Sequence, residues 1–150
     1  MSHEVGLMST DLVAGSQEFP EPKLGLTVVV PVYRSGAVLR QLHARLVPVL
    51  RDLPLPWSRF EVVFVEDGGT DLSWDILREL AAGDRSVRCI RLHRNYGQHN
   101  ALLCGIRAAR GEVIVTMDDD LQNPPEEIPR LLQKLEIGRA SCRERVSVVV

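Results

Sequence analysis

Apolar and polar positions along this chain follow two rhythms. From Leu26 to Val32 runs an almost unbroken series of apolar and β-branched residues, the pattern of a strand buried on both faces of a parallel sheet. From Val38 to Leu53 the residues Val38, Leu39, Leu42, Leu46, Val49, Leu50 and Leu53 recur at helical spacing. A helix is predicted there, ended by Pro54 and Pro56 and kinked or stopped early at Pro48. Phe60 to Val65 predicts a second buried strand, and Leu72, Ile76, Leu77 and Leu80 mark the apolar side of a second helix capped by Thr70 or Asp71. Residues 87–92 predict a shorter third strand. Gln98 to Arg110 predicts a helix closed by Gly111 at C′, and Glu112 to Met117 a fourth strand.

The order is therefore βαβαβαβ, which selects a parallel sheet with helices on both faces and right-handed crossovers. The predicted fold class is α/β, a Rossmann-like, mostly parallel sheet, and ligands of such sheets bind outside the carboxyl ends of the strands. Residues 1–24 mix Gly, Ser, Glu and Pro without apolar periodicity and predict a mobile leader. After Leu135 the character changes again. The segment Glu136 to Arg145 with its apolar end resembles readthrough into a cloning or sequencing adaptor, so residues 136–150 are expected to be a non-native tail and 25–135 the domain.

Composition narrows the partners. The chain has 150 residues, enough for one domain, and its hydrophobic fraction of 45% is that of a globular protein. Lys and Arg total 18 against 20 Asp and Glu, so no global field attracts nucleic acid or an anionic membrane, and an anionic ligand must be held locally. Cys89, Cys104 and Cys142 are odd in number and lack CxxC spacing, which argues against a disulfide framework or a zinc site and for a reducing compartment. Glu4 and Asp11 stand where a signal peptide would be positive, and no apolar run reaches bilayer length, so a cytoplasmic location is expected. No pattern speaks to oligomeric state.

Candidate chemistry collects at predicted strand ends. The fourth strand runs into Asp118-Asp119-Asp120-Leu121-Gln122-Asn123-Pro124, and three adjacent carboxylates repel one another unless a cation or donor groups compensate them. Asp118, Asp120 and Gln122 stand at alternate positions and offer hard oxygen ligands to Mg2+ or Mn2+. The competing reading is a solvated acidic turn with Asn123 as N-cap and Pro124 at N1. Spacing alone leaves both open. An EF-hand fits poorly, because its sixth position would be Asn123 and its twelfth Pro129. At the end of the second strand, Asp67 precedes Gly68-Gly69 and either accepts hydrogen bonds from a nucleobase or belongs to an ordinary strand-to-helix turn. Tyr33, after Pro31-Val32, either stacks on a base or fills the sheet edge. There is no GxxxxGK[ST] and no GxGxxG after a strand, which removes a P-loop and a dinucleotide fingerprint.

Taken in order, VVVPVY, FVEDGGTD, RNYGQHNALLCGI and VTMDDDLQNPPEEIPRLL resemble the GT-A catalytic domain of family 2 glycosyltransferases over residues 26–135, and the last two blocks are similar to the polyprenyl-phosphate sugar transferase group. The resemblance implies an inverting transfer from a UDP- or GDP-sugar to undecaprenyl or dolichyl phosphate at the cytoplasmic face of the membrane. It implies that Pro31, Val32, Tyr33 and Asp67 line the base and ribose pocket, that Asp118 and Asp119 contact the nucleotide, and that Asp120 and Gln122 hold Mg2+ or Mn2+ at the diphosphate, with Asp118 and Asp120 as the catalytic pair. Arg34-Ser35 stands where relatives have Asn-Glu, and Glu66 and Gly69 replace the Asp and Ser of a DDGS motif. The acceptor segment and membrane helices of relatives follow the region of similarity, so the expectation is a truncated donor-side half, with a nucleotide-binding module lacking transfer activity as the alternative.

Overall fold

A computed structural model describes residues 23–138 and 146–149. The expected leader lies almost entirely outside them, as does 139–145 of the expected tail. The elements are β1 (Leu26–Val32), α1 (Gly36–Arg51), β2 (Phe60–Glu66), α2 (Ser73–Gly83), β3 (Val87–Arg91), α3 (Gln98–Ala108), β4 (Val113–Thr116), a 3-10 turn (Pro125–Glu127), α4 (Ile128–Gly138) and β5 (Val146–Val149). The strands form one five-stranded sheet in the order β3-β2-β1-β4-β5, parallel at every pairing.

Why these segments are strands follows from where their side chains go. Every residue of β1, β2 and β4 is buried, so both faces of the central sheet are covered, as the continuous apolar runs require. Alternate positions serve different faces. Val28, Val30 and Val32 join the large core with Leu39, Leu42 and Leu46 of α1, Leu77 of α2 and Ile128 and Leu132 of α4. Val29, Val63 and Val65 point the other way, into two small clusters with Ala101, Leu102 and Ile106 of α3. Gly105 lets α3 lie directly on Val29 and Val65, whose methyls a Cβ there would strike.

At the amino ends of the strands a buried carboxylate ties the sheet together. Glu61, 3% exposed, accepts from the Thr27 hydroxyl at 3.0 Å, the Arg110 amide at 2.8 Å and Arg88 Nη1 at 2.8 Å. A buried charge is tolerable when its oxygens are satisfied in this way. Asp84, the residue after α2, accepts from the Ser86 hydroxyl at 2.6 Å and amide at 3.0 Å, with His43 at 3.1 Å. Burial alone would raise the Asp84 carboxyl; the Ser86 and His43 contacts outweigh it and hold the group below the ordinary carboxylate range.

Several local expectations are corrected. Pro48 does not stop α1, which continues to Arg51; its missing N–H costs one bond, to the Ala44 carbonyl, and the buried Val47 and Leu50 on either side hold the last turn against the core. Neither Thr70 nor Asp71 is the residue at the α2 N-cap, which is Leu72, but Asp71 still satisfies the first turn by accepting from the Ser73 amide at 3.2 Å and hydroxyl at 2.7 Å. Gly111 is not a left-handed helix cap, since α3 ends in extended backbone at Ala109. It is a contact glycine: a Cβ there would lie 2.5 Å from the Leu26 carbonyl carbon and the Thr27 nitrogen. Asn123 and Pro124 are not N-cap and N1, because Pro124 itself occupies the cap and Pro125 opens the 3-10 turn.

Two outcomes are expected from these contacts. Gly111→Ala forces β4 away from the β1 backbone and lowers unfolding free energy by about 2 kcal/mol or more, read by denaturant titration. Asp84→Asn costs about 1–2 kcal/mol at neutral pH through lost hydrogen bonds. Because the folded carboxyl is depressed, its stabilisation is present above the unfolded value and lost as pH falls through the folded one. The gap between wild type and Asp84→Asn therefore closes below roughly pH 4, checked by melting across pH.

Candidate functional site

The chain leaves β1 for β2 and β3 on one side, then returns to place β4 on the other side of β1. This reversal makes a crevice outside the carboxyl ends of β1 and β4, the switch point at which open α/β sheets bind ligands. A cleft of about 360 Å³ lies there. It is lined by Pro31, Val32 and Tyr33 after β1, Asp67 after β2, Asp118, Asp119 and Asp120 after β4, and Asn95, Gly97 and Gln98 from the β3–α3 connection. All the candidate residues except Gln122 meet in this cleft. Gln122 is exposed, and its backbone amide donates to Asp120 Oδ1 at 3.1 Å.

Each wall has a local cause. Asp67 is 2% exposed; its amide donates to the Val32 carbonyl at 2.8 Å, extending the β1–β2 ladder by one residue. Its Oδ1 accepts the Tyr96 amide at 2.8 Å, which pulls the β3–α3 connection over the end of β2. Gly68, at φ 68°, permits this approach, because a Cβ would collide with the Arg94 backbone. Glu66 turns the opposite way: it is fully buried, accepts the Gly69 amide, and lies 3.2 Å from Arg91 Nε. Of the two adjacent acids only Asp67 reaches the cleft.

Tyr33 is 42% exposed, and its ring lies beneath the Arg34 guanidinium at 5.1 Å. Arg34 at φ 51° and Leu121 at φ 62° are the two non-glycine residues with positive φ among those described. Both stand beside the cleft, one after Tyr33 and one after Asp120, in a region costly for bulky side chains. Ser35 and Gly36 are held from below: the Ser35 amide donates to Ser73 Oγ at 3.0 Å and the Gly36 amide to Asp71 Oδ2 at 3.2 Å.

The three acids are not equivalent. Asp118 accepts from Gln98 Nε2 at 2.7 Å. Asp120 is exposed. Burial pushes the Asp119 carboxyl above the ordinary carboxylate range, offset in part by the Ser35 hydroxyl and Tyr33 amide and reinforced by the Asp120 charge. Its Oδ2 is buried without a hydrogen-bond partner among the described residues. Orphaned carboxylate oxygen in an acidic cluster fits a hard divalent cation or the donors of a ligand. Among the described residues no three His, Cys, Asp or Glu side chains group closely enough to hold an ion alone. A cation here would complete its shell with other oxygens, as Mg2+ does with phosphates.

Asn95, Gly97 and Gln98 line the cleft at positions that periodicity does not mark. The signal that finds them is topological: they follow a parallel strand and open a helix, at the same sheet edge as the acids. The first turn of α3 has no acidic residue, so its positive end meets the acidic cleft uncompensated from within.

The glycosyl transferase family 2 profile matches residues 27–147. An undecaprenyl-phosphate 4-deoxy-4-formamido-L-arabinose transferase from Pseudomonas fluorescens is 43% identical over 120 residues, covering 79% of this chain and 34% of the relative. The chain thus spans about a third of the length of the curated relatives it matches. Among solved structures, S. aureus TarS in complex with UDP aligns with TM-score 0.54 and 26% identity over 64% of this chain and 27% of TarS. The mannosyltransferase PcManGT from Pyrobaculum calidifontis, solved with GDP-Man and Mn2+, aligns with TM-score 0.64 and 24% identity over 77% of this chain and 33% of its own, a likeness of GT-A fold. A profile match of this extent, on a sheet with this switch point, makes the chain a member of glycosyl transferase family 2.

Proposed function

We propose that this chain is the nucleotide-sugar and metal-binding part of a transferase that moves a sugar from a UDP- or GDP-sugar to a polyprenyl phosphate, inverting the anomeric carbon. The observation that carries the reading is the convergence of Tyr33, Asp67 and the Asp118–Asp120 acids on one switch-point cleft. The polyprenyl acceptor is supported by relatives at 42–43% identity that are undecaprenyl-phosphate 4-deoxy-4-formamido-L-arabinose transferases, and a uridine nucleotide by the UDP bound to TarS. The acceptor is a membrane lipid, so the reaction belongs at a membrane surface; among the described residues no helix is long and apolar enough to cross one.

The residues divide the work. Pro31, Val32 and Tyr33 form the wall against which base and ribose pack. Asp67, with Oδ1 engaged by Tyr96, keeps its second oxygen for donors on the base. Asp118 and Asp119 face the ribose and diphosphate side of the cleft. A diphosphate brought against these carboxylates meets like charge at short range. Asp120 would hold Mg2+ or Mn2+, with Gln122, exposed just outside the cleft lining, turning in as a second protein oxygen; when bound, the ion would reverse that repulsion and stabilise the departing diphosphate. A polyprenyl phosphate is already anionic at neutral pH, so attack needs positioning and leaving-group stabilisation and no dedicated base.

Calorimetric titration of UDP and GDP with Mn2+ and with EDTA tests the reading. Binding is expected with Mn2+ and weak with EDTA. Asp120→Asn is expected to cost at least about tenfold in affinity with Mn2+ present, roughly 1.4 kcal/mol. Equal affinity in both conditions, in folded protein, rejects the metal role. Incubation with UDP- and GDP-sugars and polyprenyl phosphate separates transfer from binding alone.

A further inference from the structure

The β3–α3 connection is fastened through both backbone groups of one residue, Tyr96. The Tyr96 amide donates to Asp67 Oδ1 at 2.8 Å, and the Tyr96 carbonyl accepts from Asn100 Nδ2 at 2.7 Å. Asn95 Oδ1 takes the Gly97 amide at 2.9 Å, and Gly97 turns through φ 93° into α3. The next residue, Gln98, is thereby the first of α3, and its carboxamide reaches 2.7 Å to Asp118 Oδ1 across the cleft.

We infer that Gln98 is a positioning residue: its amide holds the Asp118 carboxylate in the orientation the diphosphate and cation require, and links that end of the cleft to the base-side acid Asp67. The inference rests on the donor-site reading above. A carboxylate at a strand end flanked by Asp119 and Asp120 is driven by like charge to rotate away from them. A neutral donor opposes that rotation without adding a positive charge that would compete with a cation. It occupies Oδ1 and leaves Oδ2 for the ligand. Outer partners of this type are worth about 10–100-fold in metal affinity. The three links, Asp67 to Tyr96, the short turn, and Gln98 to Asp118, make the β3–α3 connection a strut spanning the ends of β2 and β4 over β1.

The test compares Gln98→Ala and Gln98→Glu with wild type in titrations of UDP, GDP and the corresponding nucleosides, with Mn2+, after melting curves establish that each variant is folded. Gln98→Ala is expected to weaken diphosphate binding about tenfold and leave nucleoside binding within about twofold, because the base pocket does not use this contact. Gln98→Glu, isosteric but acidic, is expected to be worse than Ala. In an Asp118→Asn background Gln98→Ala is expected to add little, the signature of a shared interaction. A ligand-free arm follows the Gln98 side-chain amide protons by NMR, which are expected to shift on Asp118→Asn. Unshifted amide protons overturn the inference whatever binds. Shifted protons with additive losses, or with nucleoside and nucleotide affinities falling together, overturn it as well. Shifted protons in a protein that binds no nucleotide with Mn2+ refute the donor-site reading first, and the inference with it.

Discussion

The Asp67 carboxylate, 2% exposed at the end of β2, accepts the Tyr96 amide, and the rest of the site hangs on that hydrogen bond. A carboxylate removed from water needs donors, and the nearest is the backbone of a connection that would otherwise leave the sheet at β3. Taking that amide sets the path of residues 94–97 across Gly68 and fixes where α3 begins. From there Gln98 meets Asp118. Two acids that the pairing of β2 and β4 with β1 already sets at one edge are thus linked across the cleft by the β3–α3 connection, and the glycines at 68 and 97 are what its backbone path demands.

The two ends of the sheet treat charge differently. At the amino ends Glu61 and Asp84 are surrounded by donors, so their charges stabilise the fold. At the carboxyl ends Asp119 keeps a buried oxygen with no partner among the described residues, while Asp120 stands exposed beside it. Positive φ at Arg34 and Leu121 adds backbone strain at the same edge. The unpartnered Asp119 oxygen beside exposed Asp120 is the feature of this edge that fits a cation and an anionic ligand.

Much of the fold was legible because β1, β2 and β4 are buried on both faces, which writes itself as apolar runs that few other structures produce. What local pattern could not show depends on contacts between distant residues. Gly111 reads as a helix stop, yet its role is set by the Leu26–Thr27 backbone some eighty positions away. Pro48 reads as a helix breaker, yet the buried Val47 and Leu50 beside it carry the helix on to Arg51. Asn123 reads as a cap before proline, but the cap falls one residue later, at Pro124, and the turn opens at Pro125. The candidate acids were legible as a cluster at a strand end; the part of Gln98 was not, because only the path of the β3–α3 connection brings it to Asp118. Residues 146–149 add β5 beside β4, and the family profile extends through 147, beyond the expected domain edge at 135.

The cleft between the ends of β1 and β4 is the proposed nucleotide and cation site of this family 2 member. The most direct measurement is a crystal structure of the chain with UDP and Mn2+, with anomalous scattering recorded at the manganese edge. The account predicts one manganese peak beside Asp120, the diphosphate next to it, and the base between Tyr33 and Asp67. Nucleotide bound elsewhere, or bound in this cleft with no manganese at the acids, would contradict it.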